Sequence, residues 1–148
     1  MRRTKVDVFV HVVWTTWDRL PLLTPERKRQ AYSVIGAKCQ ELETDLIALG
    51  GMEDHVHMLV KLPATLSIAD LVKHVKGASG HLLAMQAESG QTFFRWQGAY
   101  GAFSVSPRHV RQVSDYVAHQ QEHHAASTLI PEWEIPTDLA DMPEQGQS

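Results

Sequence analysis

Two histidines separated by one valine, His55 and His57, lie in the otherwise largely apolar segment MEDHVHMLV, residues 52–60. Side chains two positions apart on a β-strand point to the same side, so both imidazoles could reach one metal ion. Histidine pairs are also common on half-exposed sheet faces without any ligand, and two histidines do not complete a metal site. The pair therefore predicts a metal site only if another part of the chain supplies a third ligand.

A tyrosine and a glutamine that could complete such a site lie in SPRHVRQVSDYVAHQQEHH, residues 106–124, where the apolar spacing predicts a helix. Tyr116 and Gln120 lie one turn apart on the same face, although a surface tyrosine packed over a glutamine has the same spacing. An amide oxygen is a hard, neutral ligand that suits Mg²⁺ or Mn²⁺. A tyrosine hydroxyl, whose ordinary pKa is about 10, can attack a phosphodiester when such an ion offsets the developing charge. The combination predicts metal-assisted cleavage of DNA through a phosphotyrosine, which would retain the bond energy for rejoining.

Hydrophobic periodicity predicts the elements that position these residues. Strands are predicted at 6–14, 46–52, 55–62 and within 98–105, and helices begin at Thr24-Pro25, Ser67 and Ser106-Pro107, the last ending near Ala126. Thr24 is expected to cap the first helix, and Ser67 is expected to cap the second together with Asp70. On the third strand, His55 and His57 share one face and the intervening apolar residues share the other.

The order strand, helix, strand, strand, helix, strand is the split βαβ pattern of a ferredoxin-like α+β fold. This fold has an antiparallel four-stranded sheet with helices on one face, and a C-terminal helix carrying Tyr116 follows it here. The opposite face, with His55 and His57, is left for a site or a partner. His11, in the first strand, is expected to be a core histidine that could also lie near the site.

The composition is that of one domain, with 148 residues of which 43% are hydrophobic. A single cysteine, Cys39, excludes a disulfide framework and a CxxC metal site. No apolar run is long enough to cross a membrane, and no signal-peptide pattern follows Met1. We therefore expect a cytoplasmic protein with no membrane partner.

Charge is divided unevenly along the chain. The net charge of −3 argues against a nucleic-acid partner, but all 14 Lys and Arg residues precede residue 129 and five of the 17 Asp and Glu residues follow it. Residues 1–128 thus carry a net charge of +2, which permits a DNA partner without predicting one. We expect residues 1–128 to form the domain and residues 129–148 to form an acidic, irregular tail.

These residues and their order resemble the single-tyrosine HUH transposases of small bacterial insertion sequences, a family that includes the palindrome-associated tyrosine transposases. HUH denotes His-hydrophobic-His, here His55-Val56-His57. The resemblance covers about residues 8–127 and is carried by HVVWTTWDRLPLL, MEDHVHMLV, FRWQGAYGAFSVS and DYVAHQQEHH. Two features depart from the family pattern. Glu53 stands where proline is common; Glu53 and Asp54 could tune the nearby metal, but we expect a plain exposed turn. The tail is acidic; it could cover the site or dock on a neighbouring molecule, but we expect a disordered end.

The resemblance implies roles for the matching positions. Tyr116 would be the catalytic nucleophile that forms a 5′-phosphotyrosine and releases a 3′-hydroxyl, and His55, His57 and Gln120 would bind Mg²⁺ or Mn²⁺. The substrate would be single-stranded DNA, recognised through hairpins at the ends of the element. The resemblance also implies a homodimer in which the tyrosine helix of one subunit completes the histidine pair of the other, although palindrome-associated relatives can be monomers.

Four basic side chains are candidates for contacts with DNA. They are Lys73 and Lys76 on the second helix, Arg95 beside Trp96 and Tyr100, and Arg108 at the start of the tyrosine helix. Phosphate contacts would make the affinity salt-dependent, and unpaired bases could stack on the rings. The structural alternatives are a solvated helix face for the lysines and core packing for the tryptophan.

Two other functions fit parts of the pattern. A non-catalytic protein that binds single-stranded hairpins and regulates would share the fold, but it would have no physical reason to keep Tyr116 one turn from a metal ligand. A small metal-binding module would explain His55 and His57 but neither Tyr116 nor Gln120. The sequence therefore favours a metal-dependent tyrosine transposase.

Overall fold

The computed structural model describes residues 4–88, 93–120, 122–123 and 129–134. These residues contain four strands and three α-helices. In chain order they are β1 (Val8–Thr15), α1 (Pro25–Glu41), β2 (Asp45–Gly51), β3 (His55–Leu62), α2 (Ile68–Glu88), β4 (Gly101–Val105) and α3 (Val110–Ala118). Short 3-10 turns lie at Trp17–Arg19, Pro107–His109 and Pro131–Trp133. Among the described residues, no helix is both long and apolar enough to cross a membrane.

The strands form one antiparallel sheet in the order β2-β3-β1-β4. The apolar, β-branched strand β1 lies inside the sheet, between β3 and β4, as its composition predicts. Its register with β3 pairs Val13 with His57 and Thr15 with His55, and its register with β4 pairs His11 with Phe103. The predicted ferredoxin-like α+β fold is confirmed.

Helices α1 and α2 pack together on one face of the sheet and form the main core with it. Both predicted caps are present: the Thr24 side chain accepts a hydrogen bond from the Arg27 amide, and Ser67 Oγ accepts one from the Asp70 amide. Alternate residues of two central strands face this core, namely Val10, Val12, Trp14, Val56, Met58 and Val60. The residues between them, which include the histidines of β1 and β3, therefore face the other side of the sheet.

Helix α3 covers that other face, where Val113 and Val117 pack against Leu59 of β3. The helix approaches β2 closely, since a Cβ atom added at Gly50 would lie 1.9 Å from the carbonyl oxygen of Val117. Strand β3 is consequently buried on both sides, although its alternating pattern alone suggested a half-exposed strand. The histidine face is thus an interior layer between the sheet and α3.

The predicted tyrosine helix is interrupted at His119. It begins after the 3-10 turn at residues 107–109 and ends at Ala118, because the backbone of His119 leaves helical angles and both its amide and its ring Nδ1 contact the Asp115 carbonyl. The chain is helical again at Gln120 and at residues 122–123, and the predicted end near Ala126 lies outside the described residues.

The predicted acidic tail begins with a segment that the structure describes. Residues 129–134, here called the C-terminal segment, contain the 3-10 turn Pro131–Trp133. Trp133 packs on the cluster formed by α3 and β3. Residues 135–148 lie outside the described part of the chain, so the division into a domain at 1–128 and a tail at 129–148 stays a prediction.

Candidate metal and tyrosine site

The two histidines of β3 lie side by side beneath α3. Their ring centroids are 5.0 Å apart, and His55 and His57 are only 2% and 0% exposed. The strand period places them on one face, and α3 removes them from solvent. Buried imidazoles need partners for both ring nitrogens, and each of these rings has them.

His55 is oriented by the residue that precedes it. Its Nδ1 lies 2.7 Å from Asp54 Oδ1, and Asp54 Oδ2 lies 3.7 Å from Arg19 Nε. Burial alone would raise the pKa of the Asp54 carboxyl, but the hydrogen bond and charge of His55 and the charge of Arg19 lower it. An ionised Asp54 accepts the Nδ1 hydrogen, which leaves Nε2 to face the interior of the site. The turn at residues 53–54, expected to be simply exposed, therefore supports the site through its aspartate.

His57 is oriented by a second imidazole. Its Nδ1 lies 2.8 Å from His11 Nε2, and the two rings are stacked with centroids 5.1 Å apart. Burial is the main cause that lowers the pKa of His11 to about 3, and the neighbouring His57 adds to it. His11 is therefore a neutral member of the site as well as a buried residue of β1. Its position in an apolar strand gave only a weak signal of this contact.

Gln120 reaches the histidine pair from the far end of the tyrosine helix. Its Nε2 donates to the Tyr116 carbonyl over 3.1 Å, and its Oε1 lies 3.3 Å from His55 Nε2. In the tautomer whose hydrogen on Nδ1 is donated to Asp54, Nε2 presents a lone pair, so two acceptors face each other across this gap. A cation between them would remove that repulsion.

A glutamate that the sequence analysis assigned to the tail lies at the centre of the site. Glu134 Oε2 is 3.0 Å from His57 Nε2, and Oε1 is 3.7 Å from His55 Nε2. Burial alone would raise the pKa of this carboxyl, but the hydrogen bond from His57 and the charges of His57 and His55 lower it. The only sequence signal for Glu134 was its place in the cluster Glu132, Trp133 and Glu134 within a polar tail. No sequence spacing links that cluster to the histidines.

Tyr116 is buried beneath the C-terminal segment and is 3% exposed. Its hydroxyl donates to Glu134 Oε2 over 3.0 Å and accepts from the Ile130 amide over 3.1 Å. Burial is the largest cause that raises the pKa of Tyr116 to about 12; the Glu134 charge adds to it, and the hydrogen bond from Ile130 opposes it. At neutral pH the side chain is a phenol. The ring lies 5.9 Å from that of His57 in the same chain.

These groups have the donor types and spacing of a site for a divalent cation. His55, His57 and Glu134 each offer one atom, and the three atoms lie within 4.8 Å of one another. Two ligands that are ~2.1 Å from one ion and at right angles lie about 3.0 Å apart, and the separations of 3.0 and 3.3 Å across this site are close to that value. Two imidazole nitrogens with amide and carboxylate oxygens suit Mg²⁺ or Mn²⁺.

The four predicted DNA-contact residues are dispersed. Lys73 is exposed on α2, on the opposite side of the sheet from the histidines, whereas the Lys76 ammonium donates to the carbonyls of Gln97 and Ala99 before β4. The guanidinium of Arg95 stacks on a ring, but on that of Trp17; the predicted partner Trp96 is buried and donates to Ser79. Arg108 is exposed in the 3-10 turn that precedes α3. Their contacts with DNA stay predictions.

The family model and the curated relatives that this chain matches all describe transposases of the same kind. The chain matches the model of the IS200-like transposase family over residues 4–120. The transposases for insertion sequence element IS200 of Salmonella typhimurium and Salmonella typhi are each 23% identical over 126 residues, which is 82% of this chain and 82% of theirs.

Two solved structures share the fold, each with a TM-score of 0.62. A presumed transposase from Deinococcus radiodurans is 23% identical, and the match covers 79% of this chain and 95% of that one. A REP-associated tyrosine transposase bound to a REP hairpin is 15% identical, with 84% of this chain and 73% of that one covered. At these identities the likeness establishes the architecture alone.

The family match spans most of the chain and contains β1, both histidines of β3 and the whole of α3. The resemblance drawn from the sequence is therefore confirmed at the level of the family. The chain belongs to the IS200-like transposase family, and its activity lies in DNA transposition.

Proposed function

We propose that this protein is a metal-dependent endonuclease and ligase for single-stranded DNA, with Tyr116 as its nucleophile. One observation carries the proposal: the Tyr116 hydroxyl and the inward nitrogens of both histidines converge on a single carboxylate, that of Glu134. An anionic oxygen group between a hydroxyl nucleophile and a set of metal ligands occupies the place that a scissile phosphodiester requires.

The proposed metal ligands are His55, His57 and Gln120, with Glu134 as a carboxylate donor when no DNA is bound. When present, Mg²⁺ or Mn²⁺ would polarise a phosphoryl oxygen and offset the charge that develops as the phosphodiester is attacked. Asp54 and His11 contact the Nδ1 atoms of the two imidazoles, which would leave both Nε2 atoms for the ion. Gln120 is held by its hydrogen bond to the Tyr116 carbonyl, so that nucleophile and ligand stay one turn apart.

The proposed reaction exchanges one phosphate ester for another. The Tyr116 oxygen would attack phosphorus, the bond from phosphorus to the 3′ oxygen would break, and the tyrosine would lose a proton while the leaving oxygen gained one. The products would be a 5′-phosphotyrosine and a free 3′-hydroxyl. Attack by a different 3′-hydroxyl would reverse the step and join a new strand without ATP, which is the strand transfer that transposition requires.

Access to Tyr116 requires the C-terminal segment to move. Ile130, Trp133 and Glu134 all contact the tyrosine, so a phosphodiester can reach the hydroxyl only when they withdraw. We propose that a phosphate oxygen then takes the position of the Glu134 carboxylate. Both are anionic oxygen donors, so the exchange keeps the charge balance of the site.

The proposed substrate is a single strand with a hairpin at the end of the element. Family membership supports a DNA partner, and a solved relative of the same fold is bound to a REP hairpin. We also propose a homodimer in solution. One chain brings Tyr116 beside its own His57, so light scattering tests the dimer separately from the chemistry.

The deciding experiment is a search for the covalent adduct. The protein would be mixed with Mn²⁺ and 3′-labelled single strands from both flanks of its gene and from a random pool, then run on a denaturing gel. We expect a labelled band of protein size that is lost in Tyr116→Phe and with a chelator, and is retained in the matched control Tyr100→Phe.

Two results would contradict the assignment. An adduct of normal yield in Tyr116→Phe would exclude this tyrosine as the nucleophile. Absence of an adduct with every strand, alongside normal Mn²⁺ and hairpin binding, would favour the non-catalytic hairpin-binding protein instead.

A further inference from the structure

An exposed aromatic surface lies at the edge of the fold, formed by the 3-10 turn after β1 and the extended residues before β4. The guanidinium of Arg95 stacks over the Trp17 ring, 4.4 Å from its centroid. Trp17, Leu20 and Phe93 are 36%, 41% and 54% exposed, and they are three of the six large exposed hydrophobic residues in the described part of the chain. Apolar side chains gathered in this way mark an interaction surface rather than scattered exposure.

The backbone holds this surface in place. Thr16 and Trp96 form an antiparallel bridge, and the amides of Trp17 and Gln97 donate to the carbonyls of Arg95 and Thr15, each over 2.9 Å. In the extended segment 93–96, the side chains at 93 and 95 are exposed while those at 94 and 96 are buried. Phe93 and Arg95 therefore project on the same side as Trp17.

The turn itself is strained. Asp18 and Arg19 have φ angles of 52° and 51°, in the left-handed region that non-glycine residues seldom adopt. The Asp18 amide is held by Gln97 Oε1 over 3.2 Å. A strained turn that is held by hydrogen bonds from a second segment and that exposes an aromatic ring is typical of a functional surface.

The same turn is linked to the metal site. Arg19 Nε lies 3.7 Å from Asp54 Oδ2, and Asp54 Oδ1 lies 2.7 Å from His55 Nδ1. The amide of Thr16 also donates to the Asp54 carbonyl over 2.9 Å. The aromatic surface thus adjoins the turn that precedes His55.

We infer that Trp17 and Arg95 form a stacking platform for an unpaired base of the DNA strand next to the cleavage site. A planar guanidinium on an indole offers an aromatic face with a cationic edge, which suits any unpaired base. Asp18 and Glu53 are exposed close by, so the surface is not a broad basic patch that would follow phosphates. It therefore selects for unstacked bases, and a duplex, whose bases are stacked internally, does not fit it.

The test measures binding without chemistry, because the platform rests on the proposed function only for the choice of DNA. In the Tyr116→Phe background with a chelator, we would measure the affinity for an oligo(dT) strand, for the same strand with abasic sites, and for a duplex. Trp17→Ala should weaken oligo(dT) binding about tenfold, whereas Trp17→Phe should restore most of it. Val8→Ala, which changes an exposed apolar residue elsewhere, is the matched control.

The abasic strand separates stacking from a general loss of binding. The Tyr116→Phe protein, which retains Trp17, should bind the abasic strand about tenfold more weakly than it binds oligo(dT). The variant that also carries Trp17→Ala should bind both strands with the same affinity. Arg95→Gln should also weaken oligo(dT) binding, about two- to fivefold, because the platform then lacks its cationic edge.

Equal affinities of the parent and Trp17→Ala for oligo(dT) would overturn the platform. So would a Trp17→Ala variant that loses self-association but keeps DNA affinity, because the surface would then be a protein interface. If no covalent adduct forms with the wild-type protein but Trp17 still governs strand binding, the nuclease proposal fails and the platform stands.

Discussion

At the scale of single residues, the proposed nucleophile Tyr116 is protonated in its buried position. Burial, with the charge of Glu134, raises the pKa of Tyr116 to about 12, and the same carboxylate lies against the Nε2 atoms of both proposed histidine ligands. A tyrosine in this state does not attack unaided. Exchange of the carboxylate for a phosphodiester would deliver the substrate and expose the hydroxyl to the metal at once.

Replacing Glu134 by glutamine separates its two proposed effects. Because one negative donor is lost, the Mn²⁺ affinity of the DNA-free protein should fall about tenfold or more. At saturating Mn²⁺, adduct formation should be at least as fast as in the wild type, because the phosphodiester no longer competes with a carboxylate. Glu132→Gln, an exposed neighbour in the same turn, should change neither quantity. An adduct lost at saturating Mn²⁺ would instead make Glu134 part of the catalytic machinery.

His11 should act on the metal through His57. A His57 ring that binds the ion through Nε2 carries its hydrogen on Nδ1, and His11 Nε2 is the acceptor for it. His11→Phe keeps a buried ring without an acceptor and should weaken Mn²⁺ binding about 10–100-fold, whereas His11→Gln should restore most of it. Nitrogen NMR of the Mg²⁺-loaded wild type should show the Nδ1–H form of His57, and finding the Nε2–H form there would refute this role.

At the scale of elements, the site depends on how closely α3 lies against the sheet. Tyr116 lies in the last turn of α3, Gln120 lies just after its end, and the histidines come from β3, so their separation is set by helix-to-sheet packing. Gly50 permits this contact, because any side chain there would meet the Val117 carbonyl. The C-terminal segment then closes the layer through Trp133 and Glu134.

Gly50→Ala should therefore damage both stability and metal binding. Forcing α3 outward should lower the free energy of unfolding by about 1–3 kcal/mol and weaken Mn²⁺ binding, because Gln120 moves away from His55. In Gly77→Ala, the added methyl group on α2 meets nothing within 4 Å and should stabilise the helix by up to about 1 kcal/mol. Urea denaturation and metal titration of both variants provide the comparison. Normal metal affinity in Gly50→Ala would mean that α3 can shift without disturbing the site.

At the scale of the whole molecule, a buried neutral imidazole makes folding sensitive to acid. The pKa of His11 is about 3 in the folded protein against an ordinary value of 6.5. As the pH falls below 6.5, the unfolded chain takes up a proton that the folded chain refuses, so the unfolded state gains free energy of protonation. The carboxyls of Asp54 and Glu134, with lowered pKa values, stabilise the fold above their ordinary pKa and lose that effect at lower pH.

The metal-free protein should thus lose stability between about pH 6.5 and pH 4.5, by at most about 1.4 kcal/mol per pH unit from His11. Denaturant titrations across this range, in the presence of a chelator, measure the slope. His11→Gln should show a smaller slope throughout this window, and the two slopes should converge only near and below pH 3, where His11 takes up its proton in the folded protein as well. The same slope in both proteins would mean that His11 is protonated in the fold.

The sequence by itself determined what depends on local periodicity. Alternation along residues 55–62 predicted that His55 and His57 share a face, and helical spacing predicted that Tyr116 and Gln120 share another. Caps at Thr24 and Ser67 located the helix starts. These features follow from backbone geometry, which repeats every two or about 3.6 residues and needs no knowledge of distant parts of the chain.

Tertiary structure alone decided which distant residues complete the site. The partner of His57 on one side is His11, 46 positions away, and on the other it is Glu134, 77 positions away. The ring beneath Arg95 is Trp17 rather than its neighbour Trp96. Such contacts depend on strand order, on the packing of α3 and on the return of the chain after it. No local pattern encodes these features, because they are set by the packing of the whole fold.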